Sequence, residues 1–194
     1  MSIIQKRNPE TPEILASDFP TCWVPIEQQE LAAPGTFTIN PPILNTYRNL
    51  ALFCQLRSVA AAENDWAFMR FNNDGGANYA WTYKYGRGDN AFFANALGGQ
   101  TGIRIGLIEA GNSFANLYTP FTIWIPGYKF ADRVTMPYAS NSGAFGDMSV
   151  PADFFITDCR GLWTSLNPVI RVDLWALTGT NFSAKSRVEL YGIL

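Results

Sequence analysis

In the stretch "VIRVDLWAL", Val169 to Leu177, apolar and charged side chains alternate from Ile170 to Leu174. One face carries Ile170, Val172, Leu174 and Ala176, and the other carries Arg171, Asp173, Trp175 and Leu177. A two-residue period is the mark of a strand with one face on a core, since successive side chains point to opposite sides of a pleated sheet. The same alternation closes the chain in "RVELYGI", where Val188 and Leu190 oppose Arg187, Glu189 and Tyr191. Outward from these two runs lie "TCWVPI", "GTFTI", "YRNLALFCQLRSV", "DWAFMRFN", "NYAWTYKY", "GIRIGLIEA", "TPFTIWIPGY" and "DRVTMPYAS", with clusters of Gly, Pro, Asn and Asp among them. Short runs between turn residues predict an all-β antiparallel sandwich or barrel. Two windows read otherwise: "LRSVAAAENDW" predicts a helical turn or two, and "DNAFFANAL" one short helix between strands.

The composition narrows the function. Of 194 residues, 47% are hydrophobic, 14% aromatic and only 15% charged, with a net charge of -2. Such a chain buries a core and is not a disordered one. No basic run exceeds Lys6-Arg7, so the clustered cations that displace counterions from phosphates are missing and nucleic acid is not an expected partner. Nor is a membrane, because no window approaches the roughly 20 apolar residues that span a bilayer. The N-terminus has no signal-peptide core, which predicts synthesis and folding in a cytoplasm. Histidine is absent, so nucleophile activation by imidazole is impossible and most zinc sites lose their ligands. Cys22, Cys54 and Cys159 sit far apart in apolar contexts and read as buried thiols.

Residues 1–20, with three prolines and five charges of both signs, read as an extended arm. Residues 21–194 read as one β-sandwich domain. Between the runs ending at Phe71 and starting at Tyr79, the residues Asn73, Asp74, Gly75 and Gly76 suit a chain reversal, because Asn, Asp and Gly tolerate the backbone angles of tight turns. A hairpin is expected there, with Arg70 bracing Asp74. A calcium site would use Asn72, Asp74 and Asn78, but one carboxylate gives little affinity, and no metal or other cofactor is expected. Tyr79, Trp81, Tyr83 and Tyr85 share one strand face, predicted to meet the core with Thr82 and Lys84 outside. Carboxylate pairs for glycoside hydrolysis, such as Asp153 with Asp158 or Glu63 with Asp65, are not marked by spacing, and no enzymatic activity is expected.

"MRFNNDGGANYAWTYKYGRG", Met69 to Gly88, has the form R-F-N-x-D-x-x-x-N-Y followed by aromatics. It resembles a pattern of tailed-bacteriophage virion proteins. The closing segment is similar to the end of the same proteins, matching at Asn181, Phe182, Ser183, Arg187, Leu190, Tyr191, Gly192 and Ile193. Lys185 stands where glycine is common. The resemblance runs from about Asp65 to the end. It implies a jelly-roll-like β-sandwich on a virion surface, no catalytic residues, and a structural hairpin organised by Arg70, Asn72, Asp74, Gly75, Gly76, Asn78 and Tyr79.

The leading expectation is a capsid decoration (cement) protein that bridges capsomers on the outer shell. Its partner would be the major capsid protein, contacted through arm residues Lys6, Arg7, Ile14, Leu15 and Phe19. The resemblance implies a homotrimer at three-fold sites. The alternative is a tail or fibre module recognising host glycan through exposed Tyr128, Tyr138 and Asn141.

Overall fold

A computed structural model describes residues 23–40, 47–144 and 153–194. The arm, with Lys6, Arg7, Ile14, Leu15, Phe19 and Cys22, lies outside these residues. Twelve strands follow one another: β1 Trp23–Glu30, β2 Phe37–Ile39, β3 Asn49–Leu56, β4 Asn64–Phe71, β5 Tyr79–Arg87, β6 Phe92–Gln100, β7 Ile103–Glu109, β8 Thr119–Pro126, β9 Tyr138–Ala144, β10 Phe154–Trp163, β11 Val172–Ala176 and β12 Arg187–Ile193. They form two antiparallel sheets. The larger has the order β1-β12-β3-β8-β9-β10-β5-β6, and the smaller β2-β11-β4-β7. The chain is an all-β, jelly-roll-like antiparallel β-sandwich.

The alternation seen in the sequence sorts side chains between the sheets. Leu50, Leu52, Ile123, Ile125, Val188 and Leu190 line the inner side of the large sheet. They meet Phe37, Ile39, Met69, Phe71, Val172 and Leu174 of the small one, all within one apolar core. Burying such side chains contributes roughly 1.5–3 kcal/mol each. The aromatic stripe of β5 faces inward, with Tyr79 and Trp81 buried, Tyr83 and Tyr85 half-buried, and Thr82 and Lys84 exposed. Between Trp66 and Trp81 lies the Arg104 guanidinium, 4.3 and 4.5 Å from the two rings. Cys54 and Cys159 are buried free thiols. Burial raises the Cys54 pKa strongly and pushes that of Cys159 up to about 12, so both stay protonated and inert.

Three sequence expectations give way. "DNAFFANAL" is strand β6, paired antiparallel to β5 from Phe92 opposite Gly86 to Leu97 opposite Trp81. The chain reverses at Asp89 and Asn90, the latter at φ 67°, and a ready ladder outcompetes a short isolated helix. In "LRSVAAAENDW" the residues after Leu56 make bends and a single bridge at Ser58 before β4 begins, with no helix. The third concerns the expected hairpin around Asp74. β4 belongs to the small sheet and β5 to the large one, so the segment is a corner that carries the chain from one layer to the other. The same holds for the closing segment, where β11 and β12 lie in different sheets. Alternation alone does not distinguish these cases, because both strands of a corner still present one face to the shared core.

Candidate functional site

The corner bearing the R-F-N-x-D-x-x-x-N-Y pattern is built from local hydrogen bonds. Asn72 and Asn73 adopt φ 53° and 54°, the left-handed region that asparagine tolerates better than most residues. The Asn72 Oδ1 accepts the backbone N–H groups of Ile170 and Arg171 at 2.8 and 3.1 Å, and its Nδ2 donates to Pro168 O at 2.8 Å. Asp74 accepts from Trp163 Nε1 at 2.8 Å, from Gly76 N–H at 2.9 Å, and from Asn78 Nδ2 at 3.0 Å. The Trp163 indole N–H is the largest cause holding the Asp74 carboxyl below its ordinary pKa, and the Arg70 charge adds to it. The Tyr79 hydroxyl bridges the layers, donating to Phe71 O at 3.1 Å and accepting Phe71 N–H at 3.0 Å. Arg70 stacks over Trp175 at 5.0 Å. Gly75 and Gly76 form the exposed tip. The side-chain oxygens of Asn72 and Asp74 already accept N–H groups and the Asn78 amide donates to Asp74, so these residues serve the fold. Among the described residues no cluster of three or more acidic or cysteine side chains is placed to hold a metal.

Of the acidic candidates, Asp65 is structural. Asp65 is buried and accepts from Ser58 Oγ at 2.8 Å, Trp66 N–H at 2.7 Å and Gly179 N–H at 3.0 Å. Asp158 pairs with Arg160 at 3.1 Å. Glu109 is fully buried, burial raises its pKa, and it accepts Ala144 N–H at 3.0 Å. The three glycan candidates do not share a surface. Tyr128 is 1% exposed and Asn141 6%, and the Asn141 amide donates across the sandwich to Leu107 O at 2.7 Å. Tyr138 alone faces outward, with the Arg160 guanidinium 3.6 Å above its ring. Polarity marked these residues for the surface, but a phenol or amide with an internal partner sits comfortably inside.

What the sequence reading missed is the outer face of the large sheet. Residues directly opposite one another in an antiparallel ladder share a face, and the strand register therefore lays out this surface in rows. One row runs Gln28, Glu189, Phe53, Thr122, Ser140, Asp158 and Lys84 across β1, β12, β3, β8, β9, β10 and β5. The next runs Tyr191, Ala51, Trp124, Tyr138, Arg160 and Thr82. At the β1 end the rings gather. Trp23 stands 5.6 Å from both Phe53 and Trp124, and Phe53 stands 5.5 Å from Tyr191. Ala51 lies beneath, fully covered. Trp23 and Phe53 are each 38% exposed. Beside the rings opens a shallow groove of about 650 Å³. Gln55, Thr122, Ser140, Ser142, Ile156, Arg187 and Glu189 are among the residues lining it. Glu189 pairs with Arg187 and accepts the Tyr191 hydroxyl at 3.0 Å. The chain enters the sheet at Trp23, so residues 1–22 join the domain at the aromatic cluster. The signal was present in β12 and β3, where Tyr191 and Phe53 occupy the polar phase of their strands.

No protein family and no curated protein matches the chain. Among solved structures it is similar to the galectin LEC-6 of Caenorhabditis elegans at 10% identity, with 86% of this chain and 95% of that one covered and a TM-score of 0.31. A legume lectin-like domain from Entamoeba histolytica is 11% identical, with 89% and 84% covered and a TM-score of 0.21. A human SPRY domain is 11% identical, with 86% and 97% covered and a TM-score of 0.18. At such scores none of them bears on what this chain binds.

Proposed function

We infer that this protein is a structural subunit of a tailed-bacteriophage virion, most specifically a capsid decoration protein. In this reading the outer face of the eight-stranded sheet docks on the major capsid protein. The carrying observation is the open cluster of Trp23, Phe53, Trp124 and Tyr191. It is a patch of large rings on a sheet face over which the described residues lay no second layer, where aromatic residues supply much contact area at small entropic cost. The cluster lies where residues 1–22 join, so arm and face would act as one footprint. This reading calls for no covalent chemistry. The protein would be made in the host cytoplasm and then carried on the virion surface.

The test is co-sedimentation with heads assembled without this protein, using the full chain, a version lacking residues 1–20, and a Trp23→Ser/Phe53→Ser variant. Saturable binding at a fixed ratio to the major capsid protein, weakened at least tenfold by the double substitution, is the expected result. Absence of binding to heads, or binding indifferent to both changes, overturns the docking face.

A second reading, a receptor-binding module for host glycan, is favoured by one arrangement on the same face. Trp124 and Tyr138 lie beside Thr122, Ser140 and Asp158, and sugar rings stack on aromatic faces while their hydroxyls meet such groups. Adsorption to host cells competed by cell-surface polysaccharide, with no affinity for heads, would establish it instead.

A further inference from the structure

The two edges of the large sheet are unlike. Strand β1 carries Glu27 and Glu30 and a bulge between Pro25 and Glu27, the devices by which sheets discourage further pairing. Strand β6 at the other edge, "FFANALGGQ", has no charged residue and no proline over nine positions. Among the described residues it pairs only with β5. Among them, too, both of its faces are open, and they are apolar but for Asn95 and Gln100. Outside stand Phe92 and, across Gly86, Ile156, each 66% exposed, with Phe154 next to them. Inside, Phe93 stacks on Tyr85 at 5.2 Å, and Leu97 stands beyond the reach of the smaller sheet.

The free backbone groups of this edge can be identified. The hairpin bond from Arg87 N–H to Ala91 O sets the phase of the β5–β6 ladder. Bonding alternates along an antiparallel pair, so Phe92, Ala94 and Ala96 turn their N–H and C=O groups away from β5. The Ala96 N–H is met by the neighbouring Asn95 Oδ1 at 2.8 Å, as an outward donor would be.

We propose that two copies of this chain join through β6, antiparallel and two-fold about Asn95, into one continuous sheet, in place of the homotrimer that the resemblance implies. Charge selects this occupant. A head-to-tail contact of β6 with β1 would cover Glu27 and Glu30 with a strand that offers no cation, whereas β6 against β6 covers no charge at all. The register is self-complementary. Ala94 faces Ala96 of the second copy in a hydrogen-bonded pair, the Ala96 N–H exchanging Asn95 Oδ1 for the partner carbonyl, and the symmetric pair repeats it, giving four bonds. Phe93 meets Leu97 of the second copy on one face, and Phe92 lies over Gly98, where no side chain stands in the way. Asn95 meets its own copy in a non-hydrogen-bonded pair, at a Cα separation of about 4.5 Å. The outer aromatic faces of both copies then lie on the same side of the joined sheet, doubling the docking surface. The inference rests on β6 alone and stands whether or not that surface binds capsids.

The experiment is sedimentation equilibrium of the full chain, with cysteine cross-linking. A dimer is expected, converted to monomer by Ala94→Pro, which removes an outward N–H without touching the β5 ladder, and by Leu97→Glu. Unchanged circular dichroism would show both variants folded. In a Cys22→Ser background, Asn95→Cys oxidised by dissolved oxygen with copper should give a covalent dimer on a non-reducing gel. That separation lies within disulfide reach. Ala96→Cys, which faces Ala94 instead of itself, should give far less. A monomer or trimer, or equal cross-linking at 95 and 96, overturns the proposal, as does a dimer lost only when residues 1–22 are removed.

Discussion

At Lys185 the backbone turns with φ 67°, in a region where a side chain clashes with its own carbonyl and glycine does not. The residue is exposed, and its N–H donates to Leu31 O at 2.6 Å, so the loop holds this angle for the sake of the backbone bond. Lys185→Gly is expected to stabilise the protein by about 0.5–1 kcal/mol, after allowing for the extra freedom glycine has when unfolded. A thermal melt should rise by roughly 2–3 °C. Asp74 shows the opposite case, a side chain matched to its place. Asp74→Asn turns an acceptor of three N–H groups into a partial donor and should cost about 2 kcal/mol at neutral pH. Because folding lowers the Asp74 pKa, its contribution is complete above the unfolded value near 3.8 and fades as pH falls through the lower folded value. Melts of the two proteins from pH 7 to pH 2 should therefore converge at the acid end. A difference that stays constant would show that the carboxylate charge is not what the corner uses.

Among the elements, the strands that were legible are those with polar residues on one side and a core on the other. Strand β10 was not legible, although its burial alternates along its whole length. Its outer phase carries Phe154, Ile156 and Leu162, so apolar residues fill both phases and the contrast disappears. Strand β6 failed for a related reason, since neither face is covered and its small residues read as helix. The corner at Asp74 shows a different limit. Turn chemistry announces that the chain reverses, and only tertiary packing decides whether the next strand pairs with the last or crosses to the other layer. Gly192 in β12 is an element-scale constraint that the sequence did mark, as part of the "LYGI" match. A Cβ there would run into the Tyr47 ring, which lies flat against the strand. Gly192→Ala is expected to cost roughly 2–3 kcal/mol through overpacking, seen as a drop in the urea midpoint with an unchanged slope.

On the scale of the whole molecule, the candidate site was the least legible part. The groups that sequence reading singled out, around Asp74 and at Tyr128 and Asn141, hold the sandwich together. The surface that stands open was assembled from single residues of seven strands, whose adjacency exists only once the register is fixed. Trp124→Ser should separate the two roles, weakening binding to heads at least tenfold. Because Trp124 is half-buried on a face over which the described residues lay no second layer, its melt should fall by no more than a few degrees. A collapse of the fold instead would make the ring cluster a part of the core. The strand order carries one more consequence, which concerns time. Strand β12 is inserted between β1 and β3, so the first described strand has no partner in its sheet until residues 187–193 have left the ribosome. Nascent chains stopped short of that point must hold β1 and one edge of β3 unpaired. The sheet therefore closes only after its last strand is synthesised, and so many distant pairings place refolding in the slow range of milliseconds to seconds.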